Sequence, residues 1–160
     1  VDYYANGKLQ ILFGAGSRIY LIDRLGRFVS GFPVDLGKEI LLGPQPYDFN
    51  GTHRYNAMVL HKDNTVEMYD LKGRKAESWR GIKTEETIKS LPELIMIGGK
   101  SFWVLRTSIQ TLIFPFEGGE PVTKFEGNKK IRPDSPVTIM DEISIEVECY
   151  DGHKRTVKIK

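Results

Sequence analysis

The sequence predicts an all-β fold built from repeated four-stranded antiparallel units. Short apolar runs alternate with clusters of Gly, Asn, Asp and Pro along the whole chain, which is the pattern of short strands joined by turns. In addition, the strand–turn–strand segment at residues 65–79 recurs before and after itself. A hairpin that recurs at a regular spacing indicates an array of similar β-units.

The predicted strands follow the apolar runs. They cover residues 9–13, 18–22, 27–34, 46–50, 55–61, 65–69, 75–79, 94–97, 101–106, 110–114, 137–140, 143–149 and 153–159. Residues 83–89 are the one stretch with helical character, because Thr84, Glu85 and Glu86 suit the first turn of a helix. Two turns of helix are marginal in isolation, so we predict at most a helical turn there.

Turn chemistry explains the recurring hairpin. The Asp70 side chain can accept hydrogen bonds from the backbone ahead of it, and Gly73 can adopt a positive φ without a Cβ clash. Moving back by 47 residues places Asp23 and Gly26 on this turn, and moving forward by 46 places Gly119 on Gly73. We therefore predict a three-residue hairpin loop with a glycine bulge in each repeat.

The repeats define the predicted domain organisation. We place them at residues 1–37, 43–82, 90–127 and 135–160, with the first and last incomplete. The second and third align without a gap, and Phe32, Trp79 and Phe125 occupy one equivalent, core-facing position. A four-stranded antiparallel unit of about 45 residues is the blade of a β-propeller. The chain is thus predicted to be a single domain that forms part of a β-propeller and is a fragment of a larger protein. The alternative is an ordinary β-sandwich whose hairpins resemble one another by chance.

Two segments resemble known families. Residues 20–27, followed by Gly31-Phe32-Pro33-Val34, resemble the strand-turn-strand of quinoprotein-like and WD40-like propeller repeats. Residues 47–51 resemble the entry to an FG-GAP-type blade. More narrowly, the chain is similar to the C-terminal propeller of large, uncharacterised bacterial envelope proteins. The resemblance implies a propeller fold and a periplasmic or cell-envelope location, but it implies no activity.

Composition narrows the class of protein. The net charge is only +2, so no basic surface indicates nucleic-acid binding. The sequence contains no run of apolar residues long enough to span a membrane. Cys149 is the one cysteine, which excludes an internal disulfide and any multi-cysteine zinc site.

Three features of the sequence could indicate a ligand or metal site, and each has a simpler explanation as a turn or a solvated side chain. Residues 13–18 are glycine-rich, but a strand follows them where a dinucleotide site needs a helix. Residues 48–54 provide a single carboxylate, whereas calcium requires several. The histidines, His53, His61 and His153, have no metal-ligand spacing, and we expect His53 and His153 at solvated turns. We therefore predict no catalytic residue, no cofactor and no metal site.

The C-terminal hairpin carries local charge. Asp141, Glu142, Glu146, Glu148 and Asp151 form an acidic patch, and Lys154, Arg155, Lys158 and Lys160 form a basic one. We expect cross-strand pairing of these charges rather than acid–base catalysis. Cys149 continues the apolar face of Ile145 and Val147, where we expect no cation, so it is predicted to be a buried small hydrophobe.

The same hairpin tests strand register. A two-residue Asp-Gly loop would place Ile145 opposite Lys158 and Ile143 opposite Lys160. A three-residue loop of Tyr150, Asp151 and Gly152 instead places Ile145 opposite Val157. Because a one-residue slip moves every side chain to the other face, we predict the three-residue loop.

Aromatic residues are the candidates for a recognition surface, since they are enriched at interface anchors. Trp79 is expected in the core, whereas Trp103 has no aromatic equivalent in the other repeats. Trp103 and Tyr55 are therefore the predicted interaction residues.

The predicted function is a non-catalytic protein-interaction or scaffold module of a larger, exported bacterial protein. Its expected partners are unidentified proteins, the remaining blades of the parent protein and, through open sheet edges, further copies of the chain. The alternative is a fragment of a propeller enzyme, or of a ligand-binding propeller, whose active site lies in other blades.

Overall fold

Four small antiparallel sheets make up the computed structural model, which describes residues 1–159. Within these residues thirteen strands and one short 3-10 helix, Gly127–Lys129, are present. The strands are β1 (Ile11–Ala15), β2 (Arg18–Ile22), β3 (Val34–Asp35), β4 (Ile40–Tyr47), β5 (Asn56–His61), β6 (Thr65–Asp70), β7 (Ile82–Lys83), β8 (Glu93–Ile97), β9 (Lys100–Arg106), β10 (Thr111–Pro115), β11 (Thr138–Ile139), β12 (Ser144–Glu148) and β13 (Lys154–Lys158). The prediction of an all-β fold is confirmed.

Consecutive strands form each sheet. The strand orders are β1-β2-β3 in sheet one, β4-β5-β6-β7 in sheet two, β10-β9-β8 in sheet three and β11-β12-β13 in sheet four. Sheet two has the four strands expected of a complete repeat, although its fourth strand is β7 and the predicted strand at residues 75–79 forms a single bridge from Lys75 to Tyr69. Three strands agree with the incomplete first and last repeats, whereas sheet three has three where four were predicted. The fourth predicted repeat ends at Lys160, which lies outside the described residues.

The predicted strand at residues 27–34 is replaced by a single bridge, a turn and the short strand β3. Phe28 forms a single bridge to Ile22, and the Val29 amide donates to the Leu21 carbonyl at 2.9 Å. The chain then turns, because the Phe32 amide donates back to Val29 at 3.1 Å and Gly31 has a φ of 90°. A local turn competes with the ladder here and shortens it.

The hydrogen bonds of this turn recur 47 residues later. The Ala76 amide donates to Met68 at 2.8 Å, and the Trp79 amide donates to Ala76 at 3.0 Å. At the hairpin itself, Gly26 donates to Asp23 at 2.9 Å and Gly73 donates to Asp70 at 3.0 Å. The similarity between the first two repeats thus extends to individual backbone hydrogen bonds.

The gapless alignment of the second and third repeats is wrong within β10. The Gly118 amide donates to the Pro115 carbonyl at 2.9 Å, so Gly118 rather than Gly119 occupies the position of Gly73. The cause is the preceding hairpin loop. Residues 107–110 separate the pair Arg106↔Thr111, whereas residues 61–65 separate Leu60↔Val66 in the second repeat. The third repeat has therefore lost one residue before β10.

Residues 83–89 do not form the predicted helical turn. Ile88 bridges Thr107, and the Lys89 amide donates to the Arg106 carbonyl at 2.9 Å. The backbone groups that a helical turn would use are bonded to the end of β9 instead. Tertiary pairing thus overrides a weak local preference.

The final hairpin has the predicted register. Ile145 lies opposite Val157, and Glu148 lies opposite Lys154. The Cys149 amide donates to the His153 carbonyl at 3.1 Å, which closes the three-residue loop. The alternative register would have involved Lys160, which lies outside the described residues.

Two compact units divide the chain, Val1–Gly81 and Ile82–Lys160. In the first unit, Ile19 of sheet one and Ala57 of sheet two belong to one core cluster. In the second unit, Phe102 of sheet three shares a core cluster with Ile145 and other residues of sheet four. Consecutive sheets therefore bury their apolar faces against each other within each unit.

Candidate functional site

Trp103 is not a surface residue, and the expectation that it is exposed was wrong. Its side chain has 0% exposure and lies in the middle of β9, the central strand of sheet three. Its indole Nε1 donates to the Phe116 carbonyl at 2.9 Å, and the two rings stack with centroids 6.0 Å apart. The lack of an aromatic equivalent in other repeats reflected a difference in core packing.

Tyr55, the other predicted interaction residue, lies in a cleft of the first unit. The cleft has a volume of about 460 Å³, and its walls include Tyr3, His53 and Arg54 besides Tyr55. The Tyr55 hydroxyl accepts a hydrogen bond from the Asp2 amide at 3.0 Å. This bond ties the N-terminal segment to the cleft wall.

The β4–β5 loop forms one side of the cleft and is ordered by Asp48. Its two carboxylate oxygens accept from the Thr52 amide at 3.0 Å and the His53 amide at 2.9 Å. His53 has a φ of 59°, in the left-handed region, so the backbone turns at His53 just before Arg54 and Tyr55. The one carboxylate of this loop thus serves the backbone, and within residues 1–159 no group of three potential metal-ligating side chains occurs.

The turn after β6 forms the opposite side of the cleft. Buried Leu71 lies between the exposed residues Lys72 and Arg74 and the partly buried Asp70. Burial alone would raise the pKa of Asp70, but hydrogen bonds from the backbone and guanidinium of Arg74 and from the Lys72 backbone lower it. Asp70 is therefore a satisfied carboxylate.

The charges left over at the cleft are positive. Asp2 is also satisfied, because the Gly7 and Asn6 amides donate to it, and the Gly7 bond is the main cause of its lowered pKa. In the described part of the chain, the side chains of Arg54 and Lys72 have no ion-pair or hydrogen-bond partner. The cleft thus presents tyrosine rings and two uncompensated cations.

A second candidate surface is the outer face of sheet one, which is apolar. Its members alternate with the core residues of the same strands and are Ile11, Phe13, Tyr20, Ile22 and Phe28. Ile11 is 59% exposed and Phe28 is 61% exposed, while Leu21 on the opposite face has 0% exposure. The Phe13 and Tyr20 rings stack at 5.0 Å, which makes the face continuous.

The outer face of sheet four is polar by contrast. Lys154 pairs with Glu146 at 3.4 Å across β12 and β13, and Ser144 lies opposite Lys158. Arg155 also pairs with Asp151. Cross-strand pairing is confirmed for Lys154 and Glu146, whereas the Arg155–Asp151 pair joins β13 to the preceding loop, and Lys160 lies outside the described residues.

Cys149 is buried, as predicted, and burial raises the pKa of its thiol. The expectation that no cation lies on its face was wrong, because Arg155 lies opposite Val147 there and acts to lower that pKa. His61 is also fully buried, with Nε2 2.7 Å from the Tyr69 hydroxyl and Nδ1 3.1 Å from the Glu39 carbonyl. Both residues belong to the core.

Sequence reasoning selected Tyr55 but missed Arg54, Lys72 and the outer face of sheet one. A signal for the outer face was present. Residues 9–13 are apolar at nearly every position, and a strand covered on both faces has a continuous apolar run. The two cations carried no such signal, because exposed Arg and Lys are ordinary on any surface.

Comparison with known proteins is not decisive. No family model and no curated protein matches the chain. The crystal structure of the computationally designed Ika4 protein is similar at a TM-score of 0.47 and 14% identity, over 96% of this chain and 88% of that chain. A likeness at this score supports no statement about fold or function. Within residues 1–159, no helix is long and apolar enough to cross a membrane.

Proposed function

We propose that this chain is part of a β-propeller and acts as a non-catalytic protein-interaction or scaffold module of a larger, exported bacterial protein. The observation that carries the proposal is the apolar outer face of sheet one. Contiguous exposed apolar surface on a soluble domain marks a site of contact. The resemblance to envelope propellers supports the exported location.

The occupant that fits this face is another β-sheet with an apolar face, such as a further blade. Both core clusters of the chain form by sheet-on-sheet packing, through Ile19 with Ala57 and through Phe102 with Ile145. The outer face of sheet one has the same pleated apolar character. The polar outer face of sheet four lacks it, so the two faces do not suit one another.

The test compares the two faces of one sheet. The double variant Ile11→Thr, Phe13→Thr places a β-branched residue at both positions of β1 and removes apolar area from the outer face. We expect its free energy of unfolding to fall by less than about 1 kcal/mol, with weaker binding of an apolar fluorescent dye. The control, Leu21→Thr, alters the buried face and is expected to cost about 2–5 kcal/mol.

Sedimentation identifies the occupant. If the wild-type chain is dimeric and the double variant monomeric, a second copy covers the face, which differs from the predicted homo-oligomer through open sheet edges. The proposal fails if the chain is monomeric and the double variant loses as much stability as Leu21→Thr. That result would mean that the chain itself covers this face.

A further inference from the structure

Some residues of the cleft recur at the equivalent positions of the first repeat, and others do not. Asp70 and Arg74 recur as Asp23 and Arg27, with Nε-to-carboxylate hydrogen bonds of 2.8 Å in both copies. The other cleft residues do not recur at the same spacing of 47. His53, Arg54, Tyr55 and Lys72 stand where the first repeat has Asn6, Gly7, Lys8 and Leu25.

The recurring residues build the turn, so the residues that differ are free to serve a ligand. All four differing positions in the second repeat have an aromatic or charged side chain that lines one concave site. The cleft volume of about 460 Å³ lies in the ordinary range for ligand sites. The first repeat has the same turn with a different set of side chains.

The charge balance defines the chemistry of the ligand. The carboxylates of Asp2 and Asp70 are satisfied by donors of this chain, whereas Arg54 and Lys72 are not paired in residues 1–159. An anionic ligand would meet two cations without displacing an existing ion pair. Arg and Lys both pair with carboxylates and phosphates.

The backbone argues for carboxylates rather than phosphate. Phosphate sites commonly use converging backbone amides. At this cleft the amides of Thr52 and His53 donate to Asp48, and those of Lys72 and Arg74 donate to Asp70. Because these four amides already serve Asp48 and Asp70, the side-chain cations Arg54 and Lys72 are the donors that the proposal uses, and they suit carboxylates spaced along a peptide.

We propose that the cleft binds an acidic peptide segment of a partner protein, with Arg54 and Lys72 pairing its carboxylates. The rings of Tyr3 and Tyr55 contact its apolar parts. The inference rests on the proposed function as an interaction module and specifies the chemistry of one partner. It uses a different surface from the apolar outer face of sheet one, so each can fail alone.

The experiment titrates the chain with hexaglutamate and follows backbone amide shifts by NMR. We expect shifts at residues 53–55 and 70–74 that saturate. The double variant Arg54→Gln, Lys72→Gln should raise the Kd for hexaglutamate by at least about tenfold. The matched control Lys8→Gln, Arg24→Gln removes the same charge from exposed side chains of the first repeat and should leave the Kd within about twofold.

Two further arms decide the ligand class. Hexalysine should produce no saturable shifts, and inorganic phosphate should not displace hexaglutamate at equal concentration. The proposal is overturned by absent shifts at the cleft, by equal weakening in both double variants, or by preferential binding of phosphate. Unchanged circular dichroism of the variants establishes that they are folded. If hexaglutamate does not bind, the proposed role of the apolar outer face of sheet one is unaffected, because it is tested separately.

Discussion

Gly73 and Val34 pack so closely that no side chain fits between them. A Cβ on Gly73 would lie 2.4 Å from Cγ1 of Val34, below any normal contact distance. A Cβ on Gly26, the equivalent residue of the first repeat, would have no atom within 4 Å. Gly73 therefore combines a turn conformation with close packing of sheet one against the turn after β6, whereas Gly26 provides the conformation alone.

This difference predicts unequal costs for two equivalent substitutions. Gly26→Ala should cost about 1–2 kcal/mol, because its φ of 78° is left-handed. Gly73→Ala, at a φ of 82°, should cost a further 1–3 kcal/mol or so from overpacking against Val34. Urea denaturation of both variants measures the difference. Equal losses would show that β3 moves away without cost.

Trp79 is predicted to anchor the second repeat. It is 9% exposed, and its Nε1 donates to the Val66 carbonyl at 3.3 Å. Trp79→Ala should lower the free energy of unfolding by about 3–5 kcal/mol. Trp79→Phe keeps most of the apolar area and should cost less. A loss below about 1 kcal/mol for the alanine variant would contradict a core role.

Alkaline pH should destabilise the protein through Tyr69. Burial, assisted by the charges of Glu67 and Asp63, raises the pKa of Tyr69 from 10.0 to about 12. The folded state thus favours the neutral phenol, and this stabilisation is present below pH 10 and is lost as the pH rises towards 12. Ultraviolet absorbance of tyrosinate should show a late titration step that Tyr69→Phe removes. Ionisation of all seven tyrosines near their usual pKa would contradict this.

Acid pH should act through Asp63. A hydrogen bond from Lys38 is the largest cause that lowers the pKa of Asp63 from 3.8 to about 2, and Thr65 also contributes. The folded state favours the carboxylate, so its stabilisation is present above about pH 4 and is lost as the pH falls towards 2. NMR titration of the Asp63 carboxyl carbon measures this pKa.

Two lysine variants test whether the contact with Lys38 causes the lowered pKa of Asp63. Lys38→Gln should move the pKa of Asp63 back towards 3.8. Lys62→Gln should leave it unchanged, because Lys62 pairs with Glu39 at 3.1 Å instead. Equal effects of both variants would indicate general charge screening rather than a direct contact.

Local chemistry explains what could be predicted at the candidate site. The turn at Asp70 and Gly73 was predictable because an Asp side chain and a glycine φ act within a few residues. Tyr55 was placed among the interaction residues on its aromatic character, and it lines the cleft. Arg54 and Lys72 became distinguishable from ordinary surface cations only when the structure showed that they lack partners.

By itself, the sequence determined the all-β class, the repeated hairpin turns and the register of the last hairpin, where alternation of Ile145 and Val147 with Glu146 admits one pairing. These features depend on neighbouring residues and on which face is apolar. Tertiary structure alone decided that Trp103 is buried, that Ile88 and Lys89 bond to the end of β9 and to Thr107 rather than form a helical turn, and that sheet one retains an apolar outer face. Each of these depends on contacts between segments distant in sequence, which no local pattern records.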